Sequence, residues 1–187
     1  SLCSMVDPSV LNLAIQQKML EQLTDYRTQV KVVRVEQGVG CWIIKLADGT
    51  ELKTKLVIGA DGANSFVREQ AFIDLDILDY KQAGLTCAIL TTQPHRYVAR
   101  QIFHPTGPLA FLPMASLKSE QAEHWISIVW TLPDDYADEF ATLNDADFCQ
   151  LLTRESHHML GEVLQATARA KFPLKARAAQ RYVKEGL

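Results

Sequence analysis

Residues 57–68 read VIGADGANSFVR, and this stretch is the most informative part of the sequence for the fold. The wholly apolar run 56–60 predicts a short strand that is buried on both faces. The pair Asp61-Gly62 predicts a turn, and Asn64 or Ser65 is a suitable N-cap for a helix that begins next. A strand, an acidic-glycine turn and a helix in this order are typical of an α/β fold, which places a ligand beyond the carboxyl end of the strand.

Each residue type in this stretch can be explained by what its side chain, or the lack of one, does chemically. Gly59 and Gly62 carry no side chain, so that backbone or ligand approaches closely. The Asp61 carboxylate suits a ribose hydroxyl or a backbone amide, and it repels a bare phosphate. The predicted helix favours an anion at its N-terminus, and Arg68, one turn into that helix, offsets the charge of Asp61 or of a phosphate. An isolated Asp-Gly pair, by contrast, is common in turns and by itself predicts only a strand–turn–helix corner.

Before this stretch, the sequence predicts a helix and a β-meander. Either Asp7 or Ser9 is a suitable cap for a helix whose apolar stripe continues to about Leu23. The pair Asp48-Gly49 is a strong hairpin signal. The three strands predicted around this hairpin, and around an earlier glycine-rich turn, are 29–36, 41–46 and 51–55.

After residue 79 the pattern changes to strand-like runs spaced by turn residues, which predicts an antiparallel sheet of four or more strands. The runs are 86–92, 97–104, 109–114 and 125–132. Asn144 begins a predicted helix that extends to about Arg154, and 163–172 predicts a further strand. The acidic run 134–139 is typical of a solvated helix or loop face.

Composition predicts a globular protein and argues against several classes of function. Hydrophobic residues make up 48% of the 187 residues and charged residues 22%, and the net charge of -3 is too small and too mixed for a nucleic-acid surface.

No apolar run is long enough to cross a bilayer and no signal-peptide pattern is recognised, which predicts a cytoplasmic protein. The widely spaced cysteines predict reduced thiols. The histidines lack metal-site spacing and no serine lies in a nucleophile elbow, which argues against a metal site and a serine hydrolase.

The stretch 57–68 resembles the DG motif of the flavoprotein hydroxylases, the group that includes para-hydroxybenzoate hydroxylase. Other stretches look like the ubiquinone-biosynthesis hydroxylases UbiH, UbiF and VisC/UbiI, and VisC/UbiI is the branch that 98–103 resembles most. These stretches are 6–15, 98–104, 107–113, 127–130 and 172–174. The resemblance covers nearly the whole chain.

The resemblance implies an α/β (α+β) fold of the para-hydroxybenzoate hydroxylase type, in which a partial Rossmann-like FAD-binding domain joins an antiparallel-sheet substrate domain. It assigns 1–78 to the FAD-binding domain, 79–176 to the substrate domain and 177–187 to the return towards the FAD-binding domain. The G-x-G-x-x-G loop and the later Gly-Asp segment of the family are absent from this sequence. We therefore expect the chain to be the middle section of a longer enzyme, which alone is colourless, binds FAD poorly and is inactive.

The same resemblance implies FAD as cofactor and NAD(P)H as electron donor. It assigns Asp61 and Gly62 to the core of the FAD-contacting motif and Arg68 to its support. Asn12 or Gln16 is the polar residue expected to reach FAD from the first helix, which lacks the arginine that many relatives carry. The implied reaction is hydroxylation of a polyprenylated phenol by dioxygen through a flavin hydroperoxide, as in an octaprenyl-methoxyphenol hydroxylase of ubiquinone biosynthesis.

The resemblance also implies that the antiparallel sheet forms one wall of the substrate pocket. The residues expected to line this wall are Arg100, Ile102, His104, Phe111 and Pro113. Arg100 and His104 are candidates for polar contacts with the phenol oxygen, and outward-facing strand positions are the alternative interpretation for both. Alternation places Arg100, Ile102 and His104 on one face of the strand and Gln101 and Phe103 on the other, so that only one set faces the flavin.

Partners and rival functions follow from the same resemblance. A polyprenyl tail implies contact with a membrane surface at the periphery of the inner membrane, and relatives commonly self-associate or join a ubiquinone-biosynthesis complex. No nucleic-acid partner is expected. Prenyl reductases and halogenases share the fold, so the Asp-Gly motif alone does not exclude them. A non-catalytic ligand-binding domain is the alternative from another class of protein.

Overall fold

The structure, a computed structural model, describes residues 6, 8–114 and 121–187. The chain divides into two compact units, and each is described by itself. The larger unit contains the residues up to Met19 together with Asp79–Leu174, and the smaller contains Leu20–Leu78 together with Lys175–Leu187. The functional roles that the sequence assigns to its domains stay predictions.

The first element is the helix α1, Pro8–Gln22. Proline is well suited to the first helical position because its missing N–H has no partner there. The helix that the sequence predicts is confirmed, whereas the suggested cap Asp7 lies outside the described residues. None of the residues of α1 is buried, so its apolar stripe, including Leu13 and Ile15, is exposed.

The smaller unit is built around an antiparallel three-stranded meander, which confirms the strands that the sequence predicts there. The strands are β1 (Val32–Gln37), β2 (Trp42–Leu46) and β3 (Glu51–Thr54). The turn between β2 and β3 is stabilised by the Asp48 carboxylate, which accepts a hydrogen bond from the N–H of Thr50 at 2.9 Å. A small core under this meander joins Val35, Trp42 and Ala71.

The apolar run 56–60 is not a strand, and the prediction of a strand buried on both faces is wrong. Val57 is buried, but Leu56 is exposed and Ile58 is 80% exposed. The run makes one backbone–backbone hydrogen bond within the described part of the chain, from the Val57 N–H to the Gly186 carbonyl at 2.8 Å. Apolar composition produces a buried strand only where neighbouring strands complete the ladder, and the described residues supply none at 56–60.

The second sheet has six strands in the order β5-β6-β7-β4-β8, with β9 paired to β4, and most of its residues belong to the larger unit. This confirms the antiparallel sheet of four or more strands. Its members are β4 (Leu75–Thr91), β5 (Arg100–His104), β6 (Gly107–Pro113), β7 (Trp125–Pro133), β8 (Val163–Ala166) and β9 (Ala170–Ala179).

The strands of this sheet differ from the sequence-based prediction in several places. Strand β4 begins eleven residues earlier than the predicted run 86–92, since 86 − 75 = 11. Strand β5 begins only at Arg100, because Arg96 and Tyr97 have φ of 51° and 57°, a conformation that breaks a strand. The single strand predicted at 163–172 is two strands, because Thr167 between them turns to bond the backbone of β4.

One face of this sheet is covered by helices α3 (Asp134–Thr142) and α4 (Asp145–Glu155). The helix predicted from Asn144 to about Arg154 is confirmed, and of the two interpretations of 134–139, a helix or a loop, the structure shows a helix. Asn144 caps α4 by accepting a hydrogen bond from the N–H of Asp147 at 2.9 Å. Alternate residues of β7 point into the core beneath these helices. The largest members of this core are Trp130, Phe111, Phe148, Leu85, Ile89, Leu109, Ile126, Ile128, Leu132 and Leu152.

The start of β6 depends on a glycine. Gly107 has φ +138°, and a Cβ there would lie 2.3 Å from the Thr131 carbonyl oxygen. We expect Gly107→Ala to lower the free energy of unfolding by about 3 kcal/mol, from clash and backbone strain together. Gly49→Ala is the matched control, because Gly49 has φ +89° but open space around it, and it should cost about 1 kcal/mol. Urea denaturation measures both values, and equal losses would contradict the clash.

Candidate functional site

The Asp61 carboxylate organises the corner that the sequence singles out. One oxygen accepts the Ser65 hydroxyl, and the other accepts the Val67 N–H at 3.0 Å. The Ser65 oxygen in turn accepts the N–H of Arg68 at 3.0 Å, which confirms Ser65 as the N-cap of the short helix α2, Phe66–Gln70. Asp61 therefore satisfies a backbone amide, one of the two roles that its chemistry suggests.

The ionisation of Asp61 follows from these contacts. Partial burial raises its pKa, but the hydrogen bonds from the Ser65 hydroxyl and the Val67 N–H lower it, and the net pKa lies below the ordinary value. The group is therefore a carboxylate at neutral pH and remains an acceptor for both donors.

The two glycines of the motif have different functions. A Cβ on Gly59 would lie 3.0 Å from a methyl carbon of Val67, so that Gly59 permits the close packing of the chain on α2. Gly62 has φ +86° and open space where a Cβ would be. Of the two, only Gly62 therefore leaves room for a ligand to approach the backbone.

Arg68 does not pair with Asp61. Its guanidinium donates to the Ala63 carbonyl at 3.1 Å and lies 4.0 Å from the Glu69 carboxylate. The expectation that Arg68 offsets Asp61 is therefore corrected. The Asp61 carboxylate itself accepts the Val67 N–H at the start of α2, so this helix N-terminus does hold an anionic group. A role of Arg68 towards a phosphate stays a prediction.

Sequence reasoning missed one contact of this corner. The Arg177 guanidinium, carried by β9, donates to the Asn64 side-chain oxygen at 3.0 Å. The two residues are 113 positions apart in the chain. Local patterns carry no information about such a contact. The corner therefore contains two guanidinium groups, that of Arg177 and that of Arg68.

Asn12 and Gln16, the candidates on the first helix, lie on α1 one turn apart and are exposed. Their spacing puts both on the same side of the helix. The structure records no hydrogen bond for either side chain within its described part. Their role towards a cofactor stays a prediction.

The expected alternation on β5 is present, with Arg100, Ile102 and His104 turned to one face of the sheet. That face is the one covered by α4, where the His104 ring nitrogen Nδ1 lies 3.7 Å from a Glu155 carboxylate oxygen. Arg100 donates to the carbonyls of His95 and Val98, each at 3.0 Å. Neither residue is therefore an outward-facing strand residue, and both stabilise local structure.

Phe111 and Pro113 are buried on the same covered face, and Phe111 belongs to the packed core. Together with Ile102, which packs against that core, they do not line an open wall. Their burial places them beneath the covering helices, and their role towards a substrate stays a prediction. Period-two alternation separates the faces of a strand, but it does not say which face the helices cover.

On the opposite face, the aligned positions of β5, β6, β7 and the part of β4 paired with β7 form a surface that we call the open face, and none of them carries a charged side chain. The register aligns Thr86, Val129, Ala110 and Gln101 in one row across four strands. Val129 is 39% exposed, and Phe103 in the next row is 80% exposed. The open face comprises Gly84, Thr86, Ala88, Gln101, Phe103, Pro108, Ala110, Leu112, Ser127, Val129 and Thr131.

The fold and the Asp-Gly corner define the class of protein. The chain belongs to the family described as FAD binding domain, which matches residues 13–187. Among solved structures, PqsL of Pseudomonas aeruginosa in complex with 2-aminobenzoylacetate has a TM-score of 0.74 at 19% identity, and the match covers 94% of this chain and 49% of PqsL. This likeness confirms the fold class.

Most of the similar curated proteins carry the names of ubiquinone-biosynthesis enzymes, which confirms the resemblance. Ubiquinone biosynthesis monooxygenase COQ6 of Danio rerio is 32% identical over 162 residues, which cover 78% of this chain and 32% of that protein. The 3-demethoxyubiquinol 3-hydroxylase of Escherichia coli is 31% identical over 187 residues, which cover 98% of this chain and 45% of the enzyme. The chain thus spans less than half the length of these relatives.

No helix among the described residues combines the length and the apolar character that a bilayer-crossing helix needs.

Proposed function

We propose that the whole protein is an FAD-dependent NAD(P)H:oxygen monooxygenase that hydroxylates an uncharged polyprenylated phenol in ubiquinone biosynthesis. Membership of the FAD-binding family and the names of the relatives support the reaction class. The observation that carries the substrate class is the uncharged open face of the sheet.

An uncharged open face is unusual, because the solvated side of an antiparallel sheet normally carries polar and charged residues. Here Phe103 and Val129 present apolar surface, and the small side chain of Ala110 lies beside Val129 in the same row. Burying apolar ligand surface on such a wall contributes about 25 cal/mol per Å². A neutral ring with a hydrocarbon tail gains this contribution, whereas a carboxylated ring would lose hydration without finding a charged partner.

The corner around Asp61 fits a role in FAD binding. Gly62 offers backbone with open space above it, Asp61 holds the turn in one conformation, and Arg68 fixes the Ala63 carbonyl. Bound FAD would take electrons from NAD(P)H and activate dioxygen. The protein's own contribution is to hold the corner rigid and to keep the substrate ring in an apolar, water-poor environment. We assign to Asn12 or Gln16 a polar contact from α1.

The same proposal covers the partners. A polyprenyl tail partitions into a bilayer, so the protein that hydroxylates it works at a membrane surface, which we place at the periphery of the inner membrane. Self-association or assembly with other ubiquinone-biosynthesis enzymes fits this location.

The test is the oxidation of NAD(P)H by the whole protein, followed by absorbance with and without a short-chain prenylated phenol. We expect the phenol to stimulate oxidation several-fold and hydroxylated product to form in step with it. A ring that carries a carboxylate should not stimulate. Reduction of the prenyl chain, or a requirement for halide, would replace the proposal with a prenyl reductase or a halogenase.

A further inference from the structure

A cavity of about 490 Å³ opens between the sheet and helices α3 and α4, on the face opposite to the open face. Its size lies in the range of small-molecule sites, about 300–1,000 Å³. Three aromatic rings form a continuous part of its wall. The Trp130 and Phe140 centroids are 5.2 Å apart, and those of Tyr136 and Phe140 are 5.9 Å apart.

The charges around this cavity are mainly negative. The carboxylates of Glu139, Asp147 and Glu155 line it, whereas Arg154 is the one basic residue among its described lining. Arg154 is neutralised by Glu155, with Nε 3.0 Å from the carboxylate. Glu139 forms no ion pair with any residue that the structure describes. The cavity therefore attracts cations and repels anions.

A buried hydrogen-bond donor lies in the same wall. Trp130 is 2% exposed, and its indole N–H has no hydrogen-bond partner within the described ranges. An indole N–H donates only, and a buried donor without an acceptor costs free energy. An oxygen atom of a ligand would remove that cost.

We propose that this cavity binds a small organic cation, a methylated or alkylated ammonium group that also carries a hydroxyl or carbonyl oxygen. Ammonium groups are attracted to the faces of aromatic rings, and nearby carboxylates add to this attraction. The oxygen would accept the Trp130 N–H. Trp130 and Val129 are neighbours on β7 and point to opposite faces, so this site is separate from the proposed substrate wall.

The test uses choline as the probe, with NMR detection of the indole N–H signals of the isotope-labelled chain. The Trp130 signal is assigned by elimination with W42F and W125F. We expect choline to shift the Trp130 signal saturably and tetramethylammonium, which lacks the oxygen, to bind more weakly. The neutral isostere, with a tert-butyl group in place of trimethylammonium, should give no saturable shift. An equal response to the neutral isostere, or none to choline, would overturn the proposal.

Two surface variants test the residues without disturbing the core. Tyr136→Leu and Glu139→Gln should each weaken choline binding roughly fivefold, as expected for loss of one ring face or one carboxylate. Tyr182→Leu and Glu69→Gln remove an exposed ring and an exposed carboxylate elsewhere and should leave binding unchanged. If the controls weaken binding as much as the variants do, choline is not held by this cavity. The readout is binding alone, so it is independent of FAD and of turnover.

Discussion

Val129→Asp should lower kcat/KM for a prenylated phenol by about 100-fold or more while the whole protein remains folded. Val129 lies at the centre of the open face, in the row that also holds Thr86 and Ala110. An aspartate there would lose its hydration against the apolar ring without gaining a charged partner. Several kcal/mol are expected from such a loss, and about 2.7 kcal/mol suffices for the 100-fold effect.

Val33→Asp is the matched control for this result. Val33 lies on β1 of the smaller unit and is 45% exposed, close to the 39% of Val129. It should leave turnover unchanged, and the neutral, similarly shaped Val129→Thr should keep most of the activity. Full turnover by Val129→Asp would remove the open face from the substrate site. Equal losses in both aspartate variants would indicate general damage instead.

Asp61→Ala should weaken FAD binding by the whole protein by about tenfold or more, because the carboxylate accepts both the Ser65 hydroxyl and the Val67 N–H. Without it, the turn at Gly62 loses the conformation that leaves its backbone open. Fluorescence titration of the apoprotein with FAD measures the effect directly. An unchanged FAD affinity would reduce the motif to a structural corner.

The chain offers a control of the same type. Asp48 also precedes a glycine in a turn and also accepts a backbone hydrogen bond, from the N–H of Thr50. Asp48→Ala should therefore loosen a comparable turn without changing the FAD affinity. A similar loss of affinity in both variants would mean that FAD binding reports only the stability of the smaller unit.

Features that depend on short-range contacts, namely helix caps and the alternation of a strand, could be predicted from the sequence. The caps at Ser65 and Asn144 are short-range hydrogen bonds between a side chain and a backbone N–H three residues later. The alternation at 100–104 follows from strand geometry alone. These features depend on neighbours within a few residues, and the structure confirms each of them.

Features that depend on distant chain segments could not be predicted. The run 56–60 has the composition of a buried strand, but burial requires neighbouring strands that composition does not specify. Which face of β5 and β6 the helices cover depends on the placement of α4, and no pattern within these strands shows that Phe111 and Pro113 lie on the covered face. The contact between Arg177 and Asn64 joins residues that no local pattern connects.

The most direct test of the central claim is a turnover of the whole protein with NAD(P)H, a short-chain prenylated phenol and isotopically labelled dioxygen, analysed by mass spectrometry. The account predicts a hydroxylated ring that carries one oxygen atom from the labelled gas, with the prenyl chain unchanged. Consumption of NAD(P)H without labelled ring oxygen, or reduction of the prenyl chain in its place, would contradict the assignment as a hydroxylase.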